Sequence, residues 1–342
     1  MISHPILIVD DEPTNLALLH QILKDDYPLI FANSGQEALL MSAKQPISMI
    51  LLDIQMPEMS GYEVCSALKA DPMTASIPVI FVTALNDYGN EETGFLLGCV
   101  DYLIKPVVPS LVRSRVRTHL SLVQASQLKQ SQRDTIFILG EAGHYRDNDT
   151  GLHIWRMAAY SKTLAKALGW TEPNVELLEL AAPMHDTGKI GIPDSILCKP
   201  GKLTPEEWKI MQTHSQIGYD ILSKSDAPLL KLAAEIALHH HEKWNGTGYP
   251  NALKEKDIPE SARIVAIADV FDALTMDRSY KKAWPVEQAI NMIKENAAQH
   301  FDPYMVSCFM DILPQLLTIK MQWENIESIC LAYNKQHKTQ IL

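Results

Sequence analysis

Histidine and aspartate recur in this chain at spacings that suit metal chemistry. His185 stands directly before Asp186, His239, His240 and His241 form a run, and His153, His214 and Asp269 flank them along the sequence. Seven of the 12 histidines fall between His144 and His241. Imidazoles and carboxylates without thiolate suit iron, manganese or similar ions with open coordination positions better than a closed structural zinc. Two such ions about 3.5–4 Å apart can activate water and take up charge from a phosphate oxygen, the two needs of phosphodiester hydrolysis. An adjacent His–Asp pair fits that use, because the histidine can bind one ion while the carboxylate reaches both.

A second set lies nearer the N-terminus. Asp10 and Asp11, Asp53, Thr83 and Lys105 each end or follow an apolar run. Three carboxylates in one pocket repel one another, and a hard divalent cation such as Mg²⁺, which takes oxygen ligands and keeps some of its waters, relieves that repulsion. A hydroxyl and an ammonium beside such a centre supply the hydrogen bonds and charge neutralisation that a transferred phosphoryl group needs. Asp53 is then the acceptor.

The elements that must position these groups differ between the two halves. Apolar β-type runs at Ile6–Val9, Leu29–Ala32, Met49–Leu52, Val79–Val82 and Val100–Ile104 alternate with amphipathic helical stretches such as Asn15–Leu23 and Gln36–Ala43. This predicts a doubly wound parallel sheet of five strands, with its ligands at the carboxyl ends of the strands. Residues 109–139 are helix-compatible, with Val112, Val116, Leu120 and Val123 on one stripe and a solvated Ser/Gln-rich middle. Two uses of that helix are open: pairing with a twin in a homodimer, or docking on its own domain. Strand periodicity is missing after about residue 146. Leu152–Leu168, Val175–Met184, Pro205–Leu222, Leu229–His241, Ala262–Leu274, Val286–Ala298, Tyr304–Leu317 and Trp323–Tyr333 read as helices of an all-α bundle. The expected organisation is therefore an α/β domain over 1–120, a helical linker over 121–145 and the bundle over 146–342.

Composition agrees with a folded, multidomain protein: 342 residues, 46% hydrophobic and 21% charged. The run Ile6–Val9 leads at once into Asp10, Asp11 and Glu12, which neither a signal peptide nor a membrane helix tolerates, so a cytoplasmic protein without membrane insertion is expected. A net charge of −11 opposes wrapping on DNA but leaves room for a small anion at a metal cluster. Cys65, Cys99, Cys198, Cys308 and Cys330 are odd in number and scattered, and read as buried free thiols.

The stretches "VDDEP", "LLDIQMPEMSG", "TA" and "DYLIKP" occur in an order that resembles the flavodoxin-like receiver domain of bacterial response regulators, over residues 4–120. The likeness implies phosphorylation of Asp53 by a sensor histidine kinase or phosphotransfer protein. It also implies Mg²⁺ held with help from Asp10 and Asp11, phosphoryl contacts from Thr83 and Lys105, a cis Lys105–Pro106 bond, and Tyr102 as an aromatic that moves on activation. Further on, "HDTGKIGIPD" at 185–194, "HHEKWNGTGYP" at 240–250 and "ARIVAIADVFDALTMDRSYK" at 262–281 resemble the HD-GYP family of cyclic di-GMP phosphodiesterases. This second likeness implies His153, His185, Asp186, His214, His240, His241 and Asp269 as ligands of two iron or manganese ions, with Asp186 bridging and catalytic. It further implies Lys189 on the scissile phosphate, Arg278 and Lys281 on phosphate or guanine edges, and a Gly248–Tyr249–Pro250 loop at the mouth of the pocket.

One position departs from the pattern. Where family members with three metals tend to carry glutamate four residues before the first histidine, this chain has Asp149, one methylene shorter; a dinuclear site is expected. Other polar residues have plainer readings: His239 as a packing or supporting residue, His144 and His300 as surface or capping groups, Asp272 as a hydrogen-bonding neighbour of the ligands. Trp244 and Tyr249 read as structural, with a place beside a guanine base left open. The expected activity is hydrolysis of cyclic di-GMP to linear pGpG, a second cleavage to GMP being left open, under control of Asp53. The alternatives are an HD hydrolase of another cyclic dinucleotide or nucleotide, and a silent binding module, whose mark would be missing ligands.

Overall fold

A computed structural model of the chain describes residues 4–84, 91–144, 152–276 and 282–338. The chain divides into two compact units, Met1–Gln130 and Ser131–Leu342.

In the first unit β1 (Ile6–Val9), α1 (Pro13–Leu23), β2 (Leu29–Ala32), α2 (Gly35–Lys44), β3 (Met49–Asp53), α3 (Gly61–Ala70), β4 (Val79–Ala84), α4 (Glu91–Leu96) and β5 (Asp101–Lys105) precede α5 (Pro109–His144). The strands pair in parallel in the order β2-β1-β3-β4-β5, the flavodoxin-like sequence whose crossover changes direction between β1 and β3. Every residue of β1 and β3 is buried, which is why these runs are apolar throughout rather than alternating. Their side chains still part by the strand period of two. Leu7, Val9, Ile50, Leu52 and Phe81 pack against Ala38 of α2 and Val64, Cys65 and Leu68 of α3. Ile6, Ile8, Met49, Leu51, Ile80 and Val82 pack against Leu19, Ile22 and Leu23 of α1 and Val112, Val116 and Leu120 of α5.

The predicted stripe on α5 is thus settled in favour of docking for its first turns. Beyond Leu120 the helix changes allegiance: Leu122 and Leu128 are exposed, and Ile136 is buried in the core of the second unit.

That unit contains α6 (Leu152–Ala167), α7 (Glu172–Ala181), α8 (Asp194–Leu197), α9 (Pro205–Gln212), α10 (His214–Leu222), α11 (Pro228–His239), α12 (Glu260–Thr275), α13 (Val286–Glu295), α14 (Pro303–Asp311) and α15 (Leu313–Lys338), with 3₁₀ turns at Ala182–Met184, Thr187–Gly191 and Glu255–Asp257. Its core joins Met157 and Tyr160 of α6, Leu178 of α7, Ile236 of α11, Ile264 and Phe271 of α12 and Phe309 of α14. No described helix is long and apolar enough to cross a membrane.

Two predicted helices are broken. The stretch Pro205–Leu222 divides at Thr213, whose hydroxyl donates to the Ile210 carbonyl at 2.6 Å while His214 Nδ1 meets the Met211 carbonyl at 2.7 Å. Side chains thus satisfy the last carbonyls of α9, and the chain is free to turn. The stretch Tyr304–Leu317 divides at Ile312, because Pro314 lacks an amide hydrogen and is tolerated only in the first turn of a new helix. Among the cysteines Cys65 and Cys99 are buried as expected, but Cys198 is exposed, lying at the end of the short α8.

Candidate functional site

The second unit brings the expected ligands together from four helices and two turns. His153 comes from α6, His185 and Asp186 from the junction of two 3₁₀ turns, His214 from the start of α10, His240 and His241 from the end of α11, and Asp269 from α12. They form two clusters, Asp186 with His214, His240 and His241, and His153 with His185 and Asp269; within each, one possible ligand atom per residue lies within 4.8 Å of the others. Asp186 faces both clusters. Its Oδ1 is 3.3 Å from His214 Nε2 and 3.6 Å from His240 Nε2, while its Oδ2 is 3.2 Å from His185 Nε2.

The tautomers follow from what the other ring nitrogens touch. His185 Nδ1 is 3.0 Å from the Ala182 carbonyl, His214 Nδ1 is 2.7 Å from that of Met211, and His240 Nδ1 is 3.1 Å from those of Ile236 and Ala237. A carbonyl only accepts, so Nδ1 carries the proton and Nε2 turns a lone pair toward the carboxylates. His153 is set in the same way by Asp272, whose Oδ2 lies 2.5 Å from its Nδ1, leaving Nε2 3.6 Å from Asp269 Oδ1. Lone pairs facing carboxylate oxygens are mutually repulsive, and Nε2 of His214 and His240 is buried without a hydrogen bond. Cations between them turn that repulsion into coordination, so the donor set fits a pair of divalent ions.

Titration behaviour agrees with this crowding. Burial pushes Asp269 upward, but positive charge at His185 and His153, in the place that bound cations would take, outweighs it and holds the carboxylate below its usual range. Burial and the neighbouring His240 and His214 hold His241 neutral, well below its ordinary value. A metal ligand must be deprotonated, and both groups are kept so.

Three supports were not foreseen. Arg156, buried on α6, grips Asp272 through Nε on Oδ1 and, at 2.9 Å, through Nη2 on Oδ2, the oxygen that also meets His153. Glu242 is buried and accepts from the amides of Asn251 at 2.8 Å and Leu253 at 3.1 Å, which ties the 248–250 loop to the end of α11. Gly188 presses on α10: a Cβ there would lie 1.8 Å from the His214 carbonyl oxygen and 2.4 Å from Gly218 N. The 248–250 loop, which contains a cis Tyr249–Pro250 bond, lays Tyr249 on His241 with ring centroids 4.8 Å apart. Lys189 Nζ sits 2.9 Å from Asp186 Oδ2, at the edge of the metal-binding group. His239 contacts no ligand carboxylate; its Nδ1 lies 3.9 Å from Glu242. His300, expected as a surface or capping group, is half-buried and stacked on Phe301, and burial lowers its pKa to about 4. Trp244 lies beneath the Arg263 guanidinium, whose Cζ is 5.8 Å from the ring centroid. Asp149, Arg278 and Lys281 lie outside the described residues.

Comparison with known proteins agrees with the geometry. A family model described as an HD domain matches residues 118–305, and one described as a response regulator receiver domain matches residues 6–117. A probable cyclic di-GMP phosphodiesterase of Vibrio cholerae is 41% identical, covering 94% of this chain and 81% of that protein. The chain belongs to the HD-domain phosphodiesterases that carry a response-regulator receiver. The cyclic di-GMP phosphodiesterase response regulator RpfG of Xanthomonas campestris is 36% identical over 89% of this chain and 86% of its own length. A 3′3′-cGAMP-specific phosphodiesterase 2 of Vibrio cholerae is 44% identical over 56% of this chain and 37% of that one. HD-domain enzymes of this family are metal-dependent hydrolases, in keeping with the two clusters.

The family's receiver pocket is equally well defined. Asp10, Asp11 and Asp53 form a third carboxylate cluster at the strand ends where the sheet order reverses. Lys105 Nζ bridges Asp10 Oδ2 at 2.9 Å and Asp53 Oδ1 at 2.8 Å. Asp10 and Asp53 are buried, Asp11 is exposed, and buried Thr83 pairs in register with Ile104, the neighbour of Lys105. Burial raises the Asp53 pKa despite the Lys105 ammonium. Gly61 gives the site its closeness, since a Cβ there would lie 2.2 Å from the Asp53 carbonyl. The Lys105–Pro106 bond is cis, as the likeness implied. Tyr102 points inward, 7% exposed, against Phe81 and Phe95.

Proposed function

We propose that this chain hydrolyses cyclic di-GMP to linear pGpG in its second unit, under control of phosphorylation at Asp53 by a histidine kinase or phosphotransfer protein. The observation that carries the proposal is Asp186, each of whose oxygens faces imidazole Nε2 atoms of a different cluster. His153, His185 and Asp269 would hold one ion, His214, His240 and His241 the other, and Asp186 both; iron or manganese suits this nitrogen–oxygen set. When bound, such a pair supplies acidity for water and positive charge for phosphate oxygens. Lys189 adds an ammonium beside the scissile phosphate, Tyr249 closes the pocket over His241, and Arg278 and Lys281 would meet the remaining phosphate or a guanine edge. In the first unit Asp10, Asp11 and Asp53 would hold Mg²⁺, with Thr83 and Lys105 on the phosphoryl oxygens. The functional division is a receiver over 1–120, a helical transmitter over 121–145 and the phosphodiesterase over 146–342, with a homodimer through the face of α5 that exposes Leu122 and Leu128.

A second reading, 3′3′-cGAMP as substrate, draws support from the 44% identity to a phosphodiesterase named for that dinucleotide. One experiment separates them. Protein loaded anaerobically with Fe²⁺ or Mn²⁺ is offered each dinucleotide, with and without acetyl phosphate, as the native chain and as Asp53→Ala. The expected result is preferential cleavage of cyclic di-GMP, at a rate that acetyl phosphate changes only in the native chain. Preference for 3′3′-cGAMP would select the second reading, and equal rates with and without acetyl phosphate in both proteins would remove the regulatory half.

A further inference from the structure

A line of aromatic rings runs outward from the histidines of the candidate metal centre. His241 stacks on Tyr249 at 4.8 Å, with planes 29° apart, and Tyr249 meets Trp208 in a T-shaped contact at 6.2 Å and 84°. Trp208 stands on α9 and is 47% exposed. An indole is large and apolar enough to dominate a core, yet Trp208 is left about half exposed on a helix with no fully buried residue. The helix itself is firmly placed. Thr204 and Glu207 form a capping box at its start, and Lys199 pairs with Glu207 at 2.6 Å. A T-shaped pair gives the edge of one ring to the face of the other, so Tyr249 leaves at least one face of the indole uncovered.

We infer that Trp208 contributes affinity for the cyclic dinucleotide by stacking one of its purine bases, while the scissile phosphate lies over the ligand clusters. The inference rests on the proposed action on a cyclic dinucleotide. Tyr249 joins the two ends of the site: His241 and His214 of the candidate metal centre lie against it, and so does the exposed indole. A purine ring presents a π face whatever its substituents, so stacking on Trp208 contributes affinity for either purine and leaves discrimination between them to hydrogen-bonding groups.

The test uses the full chain loaded with Mn²⁺, as native protein, Trp208→Ala and Trp208→Tyr, with metal content measured for each. Steady-state rates are taken on cyclic di-GMP and on bis(p-nitrophenyl) phosphate, a diester without bases. Removing the stack is expected to raise KM for cyclic di-GMP by roughly 5- to 150-fold while kcat keeps its order of magnitude. Trp208→Tyr should recover most of that loss, and the change with bis(p-nitrophenyl) phosphate should be far smaller. An unchanged KM in Trp208→Ala, or equal losses on both substrates, overturns the assignment of Trp208. Native protein that cleaves bis(p-nitrophenyl) phosphate but no cyclic dinucleotide overturns the substrate itself, and the inference with it.

Discussion

Asp186→Asn is expected to lower kcat on a cyclic dinucleotide by about three orders of magnitude or more and to leave both metal positions poorly filled. Three orders correspond to about 4 kcal/mol of barrier, within what metal charge supplies to phosphate chemistry. The reason is the placement of the two oxygens. Oδ1 faces His214 and His240, and Oδ2 faces His185 and Lys189. Asparagine keeps the shape but replaces one acceptor with an amide donor and removes the charge, so neither cluster retains its shared anion. Asp269→Asn provides the contrast. Its carboxylate meets His153 at 3.6 Å and His185 at 4.0 Å and belongs to one cluster alone, so one metal equivalent should be lost and the other kept. Metal content per chain measured beside kcat checks both expectations; Asp186→Asn protein that is fully metallated and nearly as active as the native chain would show that Asp186 does not join the two positions.

The parts of this arrangement that could be read from the sequence are those whose signal is local. β1 and β3 are buried on both faces, and their runs are apolar without alternation; the order of short runs and amphipathic stretches then leaves few topologies for a parallel sheet. The clustering of the candidate ligands was legible for a similar reason, since a His–Asp pair and a His–His pair are rare juxtapositions at fixed offsets from glycines that the packing demands, Gly188 and Gly248 among them. Arg156 was not legible. It is one of several basic residues on α6, and what distinguishes it is a carboxylate 116 positions away. Glu242 stands in the quoted motif, yet its role depends on two amides of a loop that the sequence does not fold by itself. The break at Thr213 depends on a histidine ring reaching back to a carbonyl, which helix periodicity does not register. Pro314 was a visible breaker, and placing the helix boundary there requires only that its missing amide be given weight.

Arg156→Met is the change expected to cost the fold most. Arg156 and Asp272 are 2% and 0% exposed, and the carboxylate is shared between the guanidinium and His153. Removing one partner of a fully buried pair leaves Asp272 with His153 as its remaining support, a loss of about 3–5 kcal/mol, whereas removing both leaves only a polar group to be satisfied. Asp272→Asn in the Arg156→Met background should therefore recover part of the stability, and the cycle of four proteins gives the coupling directly. The pH dependence carries a sign. Burial alone pushes Asp272 upward, but His153 and Arg156 outweigh it and hold the carboxyl down to about 2. A carboxyl held below its ordinary value of about 3.9 stabilises fully above that value, and the contribution is lost as the pH falls through about 2. Without Arg156 the balance shifts toward burial, so Asp272 should take up its proton at a higher pH and become tolerable as a neutral group. The deficit of Arg156→Met in denaturant melts should then be greatest near neutrality and should narrow on acidification toward pH 4, with the Arg156→Met, Asp272→Asn protein showing no such narrowing. A deficit that stays constant over that range would mean that lost packing, and not an uncompensated Asp272, is what the substitution exposes.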